Sequence, residues 1–198
     1  MAALSPSDPN SYSRPDLVKT THVHLEVEVN FEKKILTGNV LLTLEKIDPQ
    51  AESVILDARS LTISKVYEEI TGQTLDFTYG SPSGFGEKFE IKLPSGGDKE
   101  LKIRVEYSSS PEATALQWLS PTQTAGKKHP YMFSQCQAIH ARSMLPCQDS
   151  PAVKTPYTAT ITAPAQLTAL MSAIRWDIIR DILSLLYSIL LSETERMK

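Results

Sequence analysis

The run Thr21-His22-Val23-His24-Leu25-Glu26-Val27-Glu28-Val29-Asn30-Phe31 decides the fold. Val23, Leu25, Val27, Val29 and Phe31 alternate with His22, His24, Glu26, Glu28 and Asn30. Successive side chains of an extended chain point to opposite faces, so this run predicts a strand with one buried and one wet face. Its valines suit a pleated, half-buried surface.

Working outward, the same pattern recurs. Leu36–Glu45 places Leu36, Val40, Leu42 and Leu44 on one face, and Glu32-Lys33-Lys34 between the two runs suits a hairpin. Ser53–Leu56, Leu61–Val66 and Leu75–Tyr79 are shorter strand candidates. Phe89, Ile91 and Leu93 mark another, closed by Pro94 and the Gly96-Gly97 turn, and Leu101, Ile103, Val105 and Tyr107 mark the next. Tyr157–Thr162 and Leu167–Ala173 complete the set. Many short strands without a βαβ rhythm or an internal repeat predict an all-β fold, an antiparallel sheet or sandwich. The stretch Ser108–Thr155 breaks the rhythm, and long loops on a rigid sheet are where binding residues concentrate.

The two ends differ from the middle. Residues 1–16 hold three prolines and few apolar residues, which predicts a flexible arm. Residues 17–175 form the β domain. In 176–198, Ile178, Ile179, Ile182, Leu185, Leu186, Ile189 and Leu190 follow helical spacing, so a C-terminal helix is expected. Its apolar core is shorter than the roughly 20 residues that cross a bilayer, and docking or self-association through this helix is the plainer role.

Bulk properties narrow the function. The 198 residues suffice for one good-sized domain, with 41% hydrophobic and 22% charged residues. A net charge of −3, with charges scattered, leaves no basic footprint for nucleic acid. Met1 to Pro15 shows no apolar signal-peptide core, which predicts a cytoplasmic protein. Two cysteines, Cys136 and Cys147, make no disulfide framework and are expected as thiols.

Few residues offer chemistry. His22, His24 and Glu26 share one strand face and are conceivable zinc ligands, but the plainer reading is the solvated face of an amphipathic strand. Cys136 with His140 suggests a thiolate–imidazole pair, yet the surrounding residues fit no cysteine-protease pattern. The most distinctive segment is Phe133–Asp149, which gathers amides, thiols, an imidazole, Arg142 and Asp149 without a clean period. Gln135 and Gln137 each carry a donor and an acceptor, suited either to a peptide backbone or terminal amine or to the loop's own backbone. Arg142 and Asp149 are expected to form a structural ion pair.

Gln137-Ala138-x-x-Ala141-Arg142-x-x-x-Pro146-Cys147-x-Asp149 resembles a signature of the gluzincin zinc aminopeptidases. Leu36-Thr37-Gly38, Ser60–Val66, Ala115–Leu119, His129–Asp149 and Leu167–Arg175 resemble the leukotriene A(4) hydrolase branch of that family, and Gln135-Cys136-Gln137-Ala138 distinguishes the branch. The resemblance implies a saddle-like β domain that covers a thermolysin-like zinc domain. Full-length members use zinc, act on short peptides as aminopeptidases, and hydrolyse the epoxide leukotriene A(4). By the same resemblance Gln135, Cys136 and Gln137 would line the peptide site, with Ala138 adjacent and Gln137 bonding substrate near the reacting carbonyl or amine. The family's His-Glu-x-x-His motif does not occur in this sequence, and the match gives way at Trp176 to unrelated residues. The expectation is therefore a truncated, substrate-side domain with no zinc and no catalytic residue of its own. A non-catalytic protein-interaction module is the alternative.

Overall fold

The computed structural model describes residues 4–94, 99–174, 179–180 and 185–189. The chain is built almost wholly of strands. The opening hairpin comprises β1 (Val18–Asn30) and β2 (Ile35–Lys46), antiparallel along nearly their full lengths. Lys34, at φ 56, takes the left-handed backbone that closes the turn, and the Lys33 N–H donates to Asn30 Oδ1 at 2.8 Å. β3 (Ser53–Ala58), β4 (Thr62–Glu68), β5 (Phe77–Tyr79), β6 (Glu87–Lys92) and β7 (Glu100–Ser108) follow. After them come β8 (Leu116–Leu119), β9 (Tyr131–Ser134), β10 (Tyr157–Thr162), β11 (Ile179–Arg180) and β12 (Leu185–Ile189).

Among the described residues the strands form three sheets. The large sheet runs β11-β12-β10-β1-β2-β7-β4, a second is β3-β6-β5, and β8-β9 is a two-stranded ribbon. The alternation read from Leu25 onward is realised: Leu25, Val27 and Val29 are buried, and Glu26 and Glu28 exposed. Val40, Leu42 and Leu44 of β2 and Ile103 and Val105 of β7 continue the same buried face, against Val54, Leu56, Phe89 and Ile91 of the second sheet. One contiguous apolar core therefore holds both sheets. Gly38 permits the tight β1–β2 contact, because a Cβ there would lie 2.1 Å from the Glu26 carbonyl oxygen.

The all-β class stands, with three corrections in detail. β1 and β10 pair in parallel, Val23 opposite Tyr157 through Glu28 opposite Thr162, so the large sheet is mixed. Leu167–Ala173 is not a strand. It keeps alternation, with Ala169 and Met171 packed on the core and Leu170 exposed, in irregular backbone. The expected C-terminal helix is not formed where the chain is described: Leu185–Ile189 pairs antiparallel with β10, and Ile179–Arg180 with β12. An Ile- and Leu-rich run satisfies β geometry as well as helical spacing, and the open edge of β10 offers an extended chain a full row of backbone partners. The rest of the helix expected over 176–198 lies outside the described residues, as does the Gly96-Gly97 turn.

The N-terminal segment also departs from expectation. Where composition predicts a flexible arm, residues 4–16 lie against the domain. Ser11 and Ser13 are buried, and Ser11 Oγ donates to Asp57 Oδ2 at 2.5 Å. Ser150 Oγ donates to Asp8 Oδ2 at 2.5 Å. Polar residues hold this segment, so a count of apolar ones could not reveal its attachment.

Candidate functional site

The Phe133–Asp149 segment leaves β9 and is fastened at three points. Gln148, buried, accepts the Thr20 N–H at 2.9 Å and donates to the Val18 carbonyl at 2.8 Å, which ties it to β1. Cys147 exchanges backbone hydrogen bonds with Asp57 of β3, at 2.8 and 3.2 Å. Arg142 is the third point. Its side chain is fully buried; Nε donates to Asp149 Oδ2 at 2.9 Å and Nη2 to the Asp149 carbonyl at 3.0 Å. The remaining nitrogen, Nη1, reaches the carbonyls of Asn10 (2.9 Å) and Phe85 (2.6 Å). The expected Arg142–Asp149 pair is thus present, within a larger cluster.

Asp57 completes that cluster, at 3.6 Å from Arg142 Nη1. It accepts the Ser11 hydroxyl, the Tyr12 N–H at 2.7 Å and the Asp149 N–H at 3.1 Å. Burial pushes the Asp57 carboxyl up, against the opposing pull of these donors and of Arg142. Gly86 makes room beside it: a Cβ there would meet the Ala58 carbonyl oxygen at 2.4 Å and Arg142 Cδ at 3.3 Å.

On this base stand the four residues singled out from the sequence. Gln135, Gln137 and Ala138 are exposed, and Cys136 is half-buried. The Gln135 N–H donates to the Ala115 carbonyl at 2.8 Å, and the Cys136 carbonyl accepts the His140 N–H at 2.9 Å. The Gln137–Ala138 peptide bond is cis. Gln135 Oε1 receives the Gln137 N–H only at 3.5 Å, so its amide stays largely open to solvent. Burial, and then the Asp149 charge, raise the Cys136 thiol above its ordinary range, which disfavours the thiolate. His140 Nδ1 is engaged by Thr114 Oγ1 at 2.8 Å. The thiolate–imidazole reading therefore gains no support from this geometry.

The metal reading fares no better. His24 Nδ1 bonds Thr158 Oγ1 at 2.7 Å, and Glu26 lies 3.5 Å from Arg104 Nη1 and 3.5 Å from Asn39 Nδ2. Arg104 is itself held by Glu69, 2.6 Å from Nη2. Among the described residues no three His, Cys, Asp or Glu side chains gather where they could hold a metal ion. As described, His24 and Glu26 are engaged with other partners and do not converge on a zinc site.

An apolar cavity of about 330 Å³ opens beside the same segment. Val27 and Val29 of β1, Ile161 of β10, Met132 of β9, Met144 and Met171 contribute to its lining. Tyr131 and Phe133, stacked at 5.9 Å between ring centroids, lie at its border and are exposed. The Phe31 ring packs edge-on against Trp118 at 5.5 Å, which joins the β8–β9 ribbon to the end of β1.

Residues 9–176 match the Peptidase M1 N-terminal domain. The chain belongs to this family. It is 42% identical over 172 residues to leukotriene A-4 hydrolase of Xenopus laevis, covering 85% of this chain and 28% of that one. It is 38% identical over 172 residues to leucine aminopeptidase 2 of Phaeosphaeria nodorum, covering 85% and 27%. The solved leukotriene A4 hydrolase of Saccharomyces cerevisiae superposes with a TM-score of 0.78 at 30% identity, over 91% of this chain and 28% of that chain. The M1 zinc metallopeptidase of Deinococcus radiodurans shares the fold, with a TM-score of 0.64 at 20% identity. The chain spans little more than a quarter of the length of the curated relatives it matches, and corresponds to their N-terminal domain.

Sequence reasoning missed Asp57 and the serines of the N-terminal segment. Asp57 follows the apolar run Val54-Ile55-Leu56. A charge at the inner end of such a run was the available signal that a buried partner exists.

Proposed function

We propose that this chain is the substrate-side domain of an M1 peptidase architecture, and that Gln135, Cys136, Gln137 and Ala138 form one wall of its peptide site. The observation that carries this reading is the exposure of the Gln135 and Gln137 side chains on a segment fastened at three buried points. An amide so held can pair with a peptide's backbone or terminal amine without a charge. It cannot act as a proton donor and acceptor for hydrolysis at neutral pH, since neither of its protonation changes lies near that range. In the whole architecture, zinc in a separate domain supplies Lewis-acid chemistry, and this wall orients the peptide. Short peptides are the substrate class, with an epoxide lipid such as leukotriene A(4) a second one by kinship with the Xenopus protein. The same reading puts the chain in the cytosol, where both thiols stay reduced.

The purified chain, given an aminoacyl chromogenic substrate and zinc, is expected to show no turnover. A short peptide should shift the NMR side-chain amide signals of Gln135 and Gln137 only weakly, and Gln137→Ala should abolish the response. Zinc-dependent turnover that survives purification, or peptide shifts confined to other residues, would overturn the proposal.

The apolar cavity with exposed Tyr131, Phe133, Leu170 and Ile174 favours a second reading, a non-catalytic interaction module. A concentration-dependent oligomer in size-exclusion chromatography, with no peptide response, would support it over the first.

A further inference from the structure

We infer that Arg142 and the N-terminal residues Asn10–Ser13 are positioning elements that set the Gln135–Ala138 wall from the opposite end of the chain. The inference takes its purpose from the peptide-site reading, but its mechanics rest on the hydrogen-bond geometry alone. Gln135, Gln137 and Ala138 are exposed, and Gln135 Oε1 is engaged only by the Gln137 N–H at a long 3.5 Å. Their order comes from behind. The Cys136 carbonyl accepts the His140 N–H at 2.9 Å, and the His140 carbonyl accepts the Ser143 hydroxyl at 2.8 Å. Ser143 Oγ in turn accepts the Ala115 N–H at 2.9 Å, while the Ala115 carbonyl takes the Gln135 N–H at 2.8 Å. The wall is thus a closed turn whose back, Ala141–Ser143, carries Arg142 at its centre.

Arg142 is held largely by main-chain carbonyls, and one of them belongs to Asn10. The neighbouring Ser11 and Tyr12 close Asp57, which also accepts the Asp149 N–H. Ser11 Oγ further accepts the Ser13 N–H at 3.1 Å, so the segment keeps its own bend. Removing Asn10–Ser13 leaves one guanidinium N–H and both Asp57 oxygens short of partners inside the protein. Buried charges tolerate this poorly, and the cluster relaxes by opening toward water. A lysine at 142 cannot restore it, because one ammonium does not span Asp149, Asn10 and Phe85 together.

Cys136 is the native reporter, half-buried in the wall itself. Cys147, paired by backbone to Asp57, belongs to the cluster itself, so urea unfolding of each variant is the control for overall stability. Iodoacetamide modification, followed by peptide mapping, would be timed for the parent chain, for a chain lacking residues 1–13, and for Arg142→Lys. Cys136 is expected to react about tenfold faster in both variants, the effect of losing a buried charge-assisted contact on a local opening equilibrium. Its reaction should also shift to lower pH as burial is relieved, with the chain still folded by urea titration. If the shortened chain fails to fold, Ser11→Ala carries the same reading. A Cys136 rate equal to the parent's in a cooperatively folded variant would overturn the inference. So would an acceleration no larger than the loss of global stability in urea accounts for, which marks general destabilisation. Peptide titration of the parent separates the two proposals: accelerated Cys136 without any peptide response sinks the peptide site and leaves the positioning intact.

Discussion

A methyl group at position 38 would have to occupy space 2.1 Å from the Glu26 carbonyl oxygen. Backbone in the centre of a paired sheet yields little, so Gly38→Ala is expected to destabilise the fold by about 1–3 kcal/mol, measurable by urea unfolding. Arg142 is a different case, in which charge rather than volume decides. Arg142→Met preserves much of the bulk but strands Asp57 and Asp149, and a loss of about 3–5 kcal/mol is expected by the same measurement. An unchanged midpoint would mean that the cluster is more hydrated than its burial implies. At this scale the sequence was partly legible. Arg142 and Asp149 stand close together and announced a pair. Asp57 and Ser11 lie far from them along the chain, and nothing in local spacing foretells that they meet.

At the scale of elements, the outer face of β1 gives the domain a pH response. Burial lowers the pKa of both His22 and His24. For His22 the His24 imidazole and then Lys102 add to the shift, while for His24 the Glu26 charge opposes it and Arg104 adds to it. The folded chain thus binds protons on these rings less readily than the unfolded chain. Stability is complete above the ordinary histidine pKa of about 6.5 and declines as pH falls through it toward the lower folded value. The melting temperature is expected to drop between about pH 7.5 and 5.5, and a His22→Gln, His24→Gln double variant should drop less. Asp57, held up by burial, acts in the opposite sense but is common to both proteins, so their difference isolates the imidazoles. β1 itself was readable because period two and burial coincide there. β8 and β9 were not: each has four residues, and the two short 3-10 turns between them carry no period. Within the C-terminal run, Ile179–Arg180 and Leu185–Ile189 are strands, because isoleucine and leucine at helical spacing also suit a sheet edge. Tertiary pairing, absent from any local window, settled the choice.

Over the whole molecule, the proposed peptide wall depends on the fold that carries it. The wall that carries Gln135 and Gln137 lies within the domain, while the described residues hold no cluster fit for a metal. Leu42→Ala, which empties a fully buried position shared by the central strands, should cost about 2–5 kcal/mol, and weaken any peptide response only through the fraction unfolded. A loss of peptide response in excess of that fraction would show that the wall and the core are coupled. The class of fold was legible because alternation repeats along most of the chain. The site's floor was not, because it is assembled from the first residues, β3 and the loop after β9. The parallel pairing of β1 with β10 bears on how the protein is made. A ribosome releases β1 and β2 early, yet one edge of β1 waits for Tyr157–Thr162 before its amides and carbonyls find their partners. Until then the nascent chain carries a long, unprotected strand edge, the feature that recruits other chains. Translation arrested before Tyr157 should therefore leave a chaperone-bound, protease-sensitive intermediate, and arrest beyond Thr162 a resistant one. Limited proteolysis of stalled ribosome complexes would read the difference directly.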